Sequence, residues 1–186
     1  CDHHTTCSGL VVATTTLPRL QKLALWLPPK VRPSVLQPIL PHLKNLTYFK
    51  VETLRRTFCE RALVSIDLLQ NLRTLDLSWC KRLSPVIFAK IARIHSLETL
   101  ILDMCGVDIT ISGIMQLKVL PQLTELSLKW CDQLTDAMLP HLGQFPALQR
   151  LDVSFCKHLT AHAIAKHLPN VFVSPAIVPI QLQGQP

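Results

Sequence analysis

The chain has 186 residues, 48% of them hydrophobic, which is apolar material enough for one domain or one repeat array. Five Gly against fourteen Pro argue against a Gly-rich sheet protein or a flexible linker, and no apolar run approaches the ~18 residues of a membrane-crossing helix. The formal net charge is +7, and residues 1–61 hold nine Lys/Arg against three Asp/Glu; that surplus can draw nucleic acid, an anionic membrane or an acidic partner, although without a run of like charges it is equally a solvated surface.

In chain order, residues 1–16 come first, opening at Cys1 rather than Met, as expected of a processed or truncated product or of the interpretable part of a longer one. No signal-peptide pattern is present. The stretch SGLVVATTTLPRL (8–20) reads as the back half of an earlier repeat, with Cys7 the relic of its cysteine. Residues 1–16 are therefore a cap or the remnant of a preceding repeat. Cys1, His3, His4 and Cys7 are metal-capable side chains, but they lie at a terminus with no second ligand pair, so no metal is expected.

From residue 17 to 173 the chain repeats itself. Leucines at 20, 46, 72, 97, 123 and 148 open six copies, spaced by 26, 26, 25, 26 and 25 residues. They read LQKLALWLP, LTYFKVETL, LRTLDLSWC, LETLILDMC, LTELSLKWC and LQRLDVSFC, and VFVSP near Val171 is a weaker seventh trace. L-x-L alternation makes a short strand with one buried face. In the fifth copy Leu126 and Leu128 point in, and Glu125, Ser127 and Lys129 point out. A helix signal follows each strand. Ser84-Pro85 places a capping residue before Pro at the first helical position, and Thr135 and Thr160 stand at equivalent places. Thr57–Glu60 has capping-box spacing. Met138, Leu139 and Leu142 recur at helical intervals, and Pro121, Pro146 or Pro169 stops the helix before the next strand. The segment SPAIVPIQLQGQP (174–186) reads as an extended C-terminal cap or tail.

Of the seven Cys, those at 80, 105, 131 and 156 are 25, 26 and 25 apart. Disulfide frameworks and zinc sites do not space cysteines evenly. These four are expected to be buried thiols doing one job in successive repeats, in an intracellular reducing compartment: mitochondrial matrix, cytoplasm or nucleus. Asn45-Leu46-Thr47 fits a glycosylation pattern, but Leu46 is a core anchor.

The phrase CDQLTDAML (131–139), with its kin at 80–88 and 156–164, resembles the cysteine-containing leucine-rich repeat, LxxLxLxxCxxLTD followed by a helix. The first two copies depart from it, with Pro28 and Leu54 where the Cys belongs. The resemblance implies an α/β fold: a right-handed solenoid of about six repeats, a parallel concave sheet inside and helices outside. One unit cannot bury its own apolar face, and stacking completes the core.

A repeat array binds on its concave face. Outward slots lie two, four and six residues after each anchor, with slot seven at the rim. The candidate partner-binding residues are Trp26, Tyr48, Lys50, Asp76, Ser78, Trp79, Asp103, Met104, Lys129, Trp130, Arg150, Asp152 and Phe155. Trp79, Met104, Trp130 and Phe155 form a rim ladder, either as apolar anchors for a protein or stacked on one another to seal the turn. Asp76, Asp103 and Asp152 with Ser78, Ser127 and Ser154 make an acidic, hydrogen-bonding floor or a merely solvated sheet face. Lys22, Lys50, Arg55 and Arg56, beside Trp26 and Tyr48, are the residues for an RNA contact. The His residues mostly sit near helix ends, where the helix dipole accounts for those at C-ends. No phosphate loop, nucleophile motif or paired acids emerge, so neither catalysis, a cofactor nor a small-molecule substrate is expected, and no membrane insertion.

The cysteine-containing repeat is similar to that of F-box ubiquitin-ligase receptors, which implies a substrate-recognition or adaptor scaffold, although no F-box is visible. The rival expectations are a structural accessory or assembly subunit of a large complex, mitochondrial or RNA-containing, and a fragment of a larger multidomain protein.

Overall fold

Leucines at fixed intervals can all be buried only if successive copies stack in register. In the computed structural model, which describes residues 19–27, 33–53, 62–80, 83–105 and 109–174, they do so. The anchors Leu46, Leu72, Leu97, Leu123 and Leu148 are buried, and Leu20, partly buried, packs against the same core. The strands are β1 (Lys22–Leu27), β2 (Tyr48–Thr53), β3 (Thr74–Asp76), β4 (Thr99–Ile101), β5 (Glu125–Ser127), β6 (Arg150–Asp152) and β7 (Phe172–Ser174). They form one parallel sheet in sequence order. Register matches slot to slot: Lys50 pairs with Asp76, Asp76 with Ile101, Ile101 with Ser127, and Ser127 with Asp152. The weak trace near Val171 is the seventh strand.

On the other side of the core are α1 (Pro85–Ile91), α2 (Ile111–Leu117), α3 (Leu139–Leu142) and α4 (Ala161–His167). Ser84 stands at the N-cap of α1 as expected, but its hydroxyl makes no capping bond. Thr160 caps α4 through the Ala163 N–H at 3.2 Å. Thr110, which sequence reading passed over, caps α2 through the Gly113 N–H at 3.1 Å. Thr135 precedes a short 3-10 turn, Asp136–Met138, and its side chain caps nothing. Gly113 is where α2 meets α1: a Cβ there would come within 2.8 Å of the Phe88 ring.

The expectation of a helix behind every strand needs correction in the first repeat; in the second, residues 54–61 lie outside the described residues, and Ala62, which follows them, is helical. The first repeat has 3-10 turns at Pro33–Leu36 and Leu40–His42, and in the second a 3-10 turn at Ile66–Leu68 follows that helical residue. Pro33, Pro38 and Pro41 explain the first two, since each removes a backbone donor and fixes φ. These repeats differ on the strand side as well: β1 and β2 run six residues each, and β3 to β7 only three. In repeats three to six the strand stops four residues after the anchor, and the residue seven after it turns to positive φ. Without the Cys, the chain stays extended. The expected N-terminal cap (1–16), the capping box at Thr57–Glu60, the positions of Pro28 and Leu54, Cys59, and the tail beyond Ser174 lie outside the described residues.

Candidate functional site

The rim is made by one local motif used four times. Trp79, Met104, Trp130 and Phe155 have φ of 67°, 58°, 58° and 66°, a left-handed conformation unusual for residues other than Gly. Each turn is held across to the next repeat: Trp79 N–H donates to Asp103 O, Met104 N–H to Lys129 O, and Trp130 N–H to Ser154 O, at 2.8, 2.8 and 3.1 Å. The turn drives the following Cys inward. Cys80, Cys105, Cys131 and Cys156 are buried thiols that donate to Val51 O, Leu77 O, Leu102 O and Leu128 O of the preceding repeat. Each acceptor sits five residues after its own anchor, so the even spacing of the cysteines reflects a line of inter-repeat hydrogen bonds. Burial pushes the Cys156 thiol up to about 12, far from the thiolate needed for reactivity.

The same turn throws the large side chain outward. Trp79 and Trp130 are 40% and 43% exposed, and Met104 and Phe155 are half-buried. Trp130 stacks on Phe155 with ring centres 4.1 Å apart. The two readings of the ladder therefore divide it: its C-terminal rungs stack on each other, and Trp79 has no ring partner among the described residues.

The floor is less open than its sequence implies. Asp76 and Ser78, read as outward-facing, are buried. The Asp76 carboxylate accepts the Ser78 hydroxyl at 2.5 Å and its N–H at 2.9 Å, and Lys50 lies over it at 3.1 Å. Asp152 repeats the arrangement with Ser154, and Lys129 reaches it at 3.0 Å. Arg150 pairs with Glu125. The Asp76 hydrogen bond and charge raise the Lys50 ammonium above its ordinary value, and Asp152 does the same to Lys129. Asp103 differs. It accepts the Ser127 hydroxyl at 2.5 Å and the Lys129 N–H at 3.0 Å, but no cationic side chain among the described residues comes within ion-pair distance.

Asp103, Lys129, Arg150 and Asp152 share a shallow hollow of about 240 Å³ on the concave face of β4 to β7. Phe172 closes it at the C-terminal end and is 68% exposed. Sequence reading missed Phe172, although the VFVSP trace puts it in the slot of Arg150, its register partner. At the other end Trp26 is 61% exposed and Tyr48 half-buried. Of the cations read as RNA contacts, Lys22 is exposed, Lys50 is held by Asp76 and Glu52, and Arg55 and Arg56 lie outside the described residues. No group of His, Cys, Asp and Glu among the described residues could hold a metal ion, and no helix among them is long and apolar enough to cross a membrane.

Residues 69–92 match a family profile described as Leucine Rich repeat. No curated protein matches the chain at a significant level. Among solved structures, an internalin from Listeria monocytogenes aligns with a TM-score of 0.54 at 15% identity, covering 90% of this chain and 54% of that one. An LRR protein of Leptospira interrogans aligns at 0.48 with 18% identity, covering 87% and 50%. The yeast Rad7 and Elc1 complex supplies a chain at 0.41 with 19% identity, covering 90% and 59%. The chain thus spans little more than half the length of the solved chains it matches. At these identities the likeness is one of fold.

Proposed function

Because the chain folds as a leucine-rich-repeat solenoid, we propose that it is a non-catalytic scaffold that holds a protein partner against its concave face and aromatic rim, as the recognition or adaptor part of a larger assembly. The observation that carries this reading is the division of labour across the outward slots. Floor charges are largely satisfied within the molecule, by Lys50 on Asp76 and Lys129 on Asp152. Large apolar side chains remain facing solvent at Trp26, Trp79, Trp130 and Phe172. A surface of that kind gains by excluding water from aromatic anchors, while paired rim charges set register more than affinity. The commitment of Lys50 to two carboxylates weakens the RNA reading, which needs freely available cations along a strip. Buried thiols at four rungs fit a reducing compartment.

The test is co-purification of tagged chain from cells, wild type beside Trp79→Ala/Trp130→Ala. A partner retained by wild type and reduced at least tenfold by the folded variant is expected, since buried aromatic anchors contribute about 2 kcal/mol or more each. Equal retention by both would remove the rim from the interface. The identity of the retained proteins separates the two finer roles. A ligase scaffold supports the adaptor, and the subunits of one large complex support an accessory or assembly role. Binding to single-stranded RNA that falls steeply with salt and with Lys22→Glu would instead restore the nucleic-acid reading.

A further inference from the structure

A backbone position held at positive φ is least strained as Gly or Asn. Four successive rungs here carry Trp, Met, Trp and Phe there instead, and both Trp side chains keep over a third of their surface in water. Sealing the core beneath does not require that much exposed ring. The four rungs form a strip whose step is the parallel-strand spacing of about 4.8 Å, or roughly 14 Å over three steps. An α-helix laid across the strands offers one apolar side chain per turn, about every 5.4 Å. An extended peptide offers one on a given face about every 6.7 Å. Over three steps the helix drifts from the rungs by about 2 Å and the extended chain by about 6 Å. The strip therefore suits a helix.

Charge says which helix. The inner flank of the strip carries Glu52, Asp76, Asp103 and Asp152 against Lys50 and Lys129. Asp103, adjacent to Met104 and facing the hollow with Ile101 and Lys129, lacks a cation among the described residues. A half-buried carboxylate in that position is complementary to a Lys or Arg brought by the occupant. On the reading that this rim holds a protein partner, we propose that the occupant is an amphipathic α-helix lying across the strands along Trp79, Met104, Trp130 and Phe155, with a Lys or Arg on its inner flank paired to Asp103.

The test selects about 16-residue peptides from a random display library on the immobilised full chain. The enriched peptides are then titrated by fluorescence anisotropy against wild type, Trp79→Ala/Trp130→Ala and Asp103→Asn, each checked by thermal melting. Expected are sequences with apolar residues at three-and-four spacing and a flanking Lys or Arg, helical by circular dichroism when bound. Their affinity should fall at least about tenfold in the double variant and about tenfold in Asp103→Asn, the effect of losing one charge-assisted contact. Asn keeps the acceptor for Ser127 and the Lys129 N–H, so the fold is retained. Should the double variant melt early, Trp79→Ser replaces it, at a side chain that stacks on no other ring. Enrichment of alternating apolar sequences, or indifference to Asp103→Asn, overturns the helix while leaving the rim as an interface. Peptides indifferent to both Trp positions, or no enrichment at all, overturn the rim as well.

Discussion

Asp103 and Asp152 show how one residue type takes opposite roles within one hollow. Burial pushes the Asp103 carboxyl above its ordinary range, and the Ser127 hydroxyl, the Lys129 N–H and the Lys129 charge only partly offset it. At Asp152 burial also raises the carboxyl, but the Ser154 hydroxyl and N–H and the Lys129 ammonium outweigh it, and the net shift is downward. The signs then differ. Ionised Asp103 subtracts from stability at neutral pH, and the penalty vanishes as pH falls below the ordinary carboxylate range. Asp152 adds stability above that range and loses it as pH falls through its depressed value. Melting curves should therefore show Asp103→Asn more stable than wild type at pH 7 and converging with it in acid, and Asp152→Asn less stable at pH 7. Asp103→Asn less stable at neutral pH would contradict the burial account. The rim gives a second expectation. At φ 58° for Met104 a β-branched side chain is strained, so Met104→Val should be about 1–2 kcal/mol less stable than Met104→Ala in urea titrations, with Met104→Gly above both. Equal values for Val and Ala would mean the turn relaxes out of the left-handed region.

The helices share an address but not a mechanism. Thr110 and Thr160 accept a hydrogen bond from the third residue of the helix they precede. The Ser84 hydroxyl, at the same address before α1, is buried with no hydrogen-bond partner among the described residues, and Pro at the first helical position sets the backbone there. Thr160→Ala is thus expected to destabilise by about 1 kcal/mol, and Ser84→Ala to be neutral or slightly stabilising, by denaturant midpoint. A cost at Ser84 equal to that at Thr160 would show that its hydroxyl does cap in solution. The sequence signals at these sites were alike: a small hydroxyl residue ahead of an apolar period. What separated them is whether the hydroxyl meets the third helical N–H, which is not written in the spacing. The 3-10 turns of the first repeat were legible in retrospect, because Pro33, Pro38 and Pro41 stand too close together for an α-helix.

At the scale of the whole molecule, each repeat touches only its neighbours, so protection should rise toward the middle of the array. Thiol labelling under native conditions, read by mass spectrometry, should leave Cys105 and Cys131 modified at least about fivefold more slowly than Cys156, which has one described strand beyond it instead of two or more. Uniform rates would indicate that the described array opens all at once. The period of the leucines and cysteines by itself determined the solenoid, the parallel order of its strands and which side chains are core, because only stacking in register buries one face of every copy. It also placed the rim aromatics, since they precede the inward Cys. Tertiary structure alone decided which outward residues are available: Asp76 is covered by Lys50 from the neighbouring strand and holds Ser78, Phe172 stays open on the last described strand, and Asp103 lacks among the described residues the cation that Asp152 has. Those outcomes depend on contacts between copies about 25 residues apart in sequence, where one Lys or Ser in the next repeat changes what a carboxylate sees.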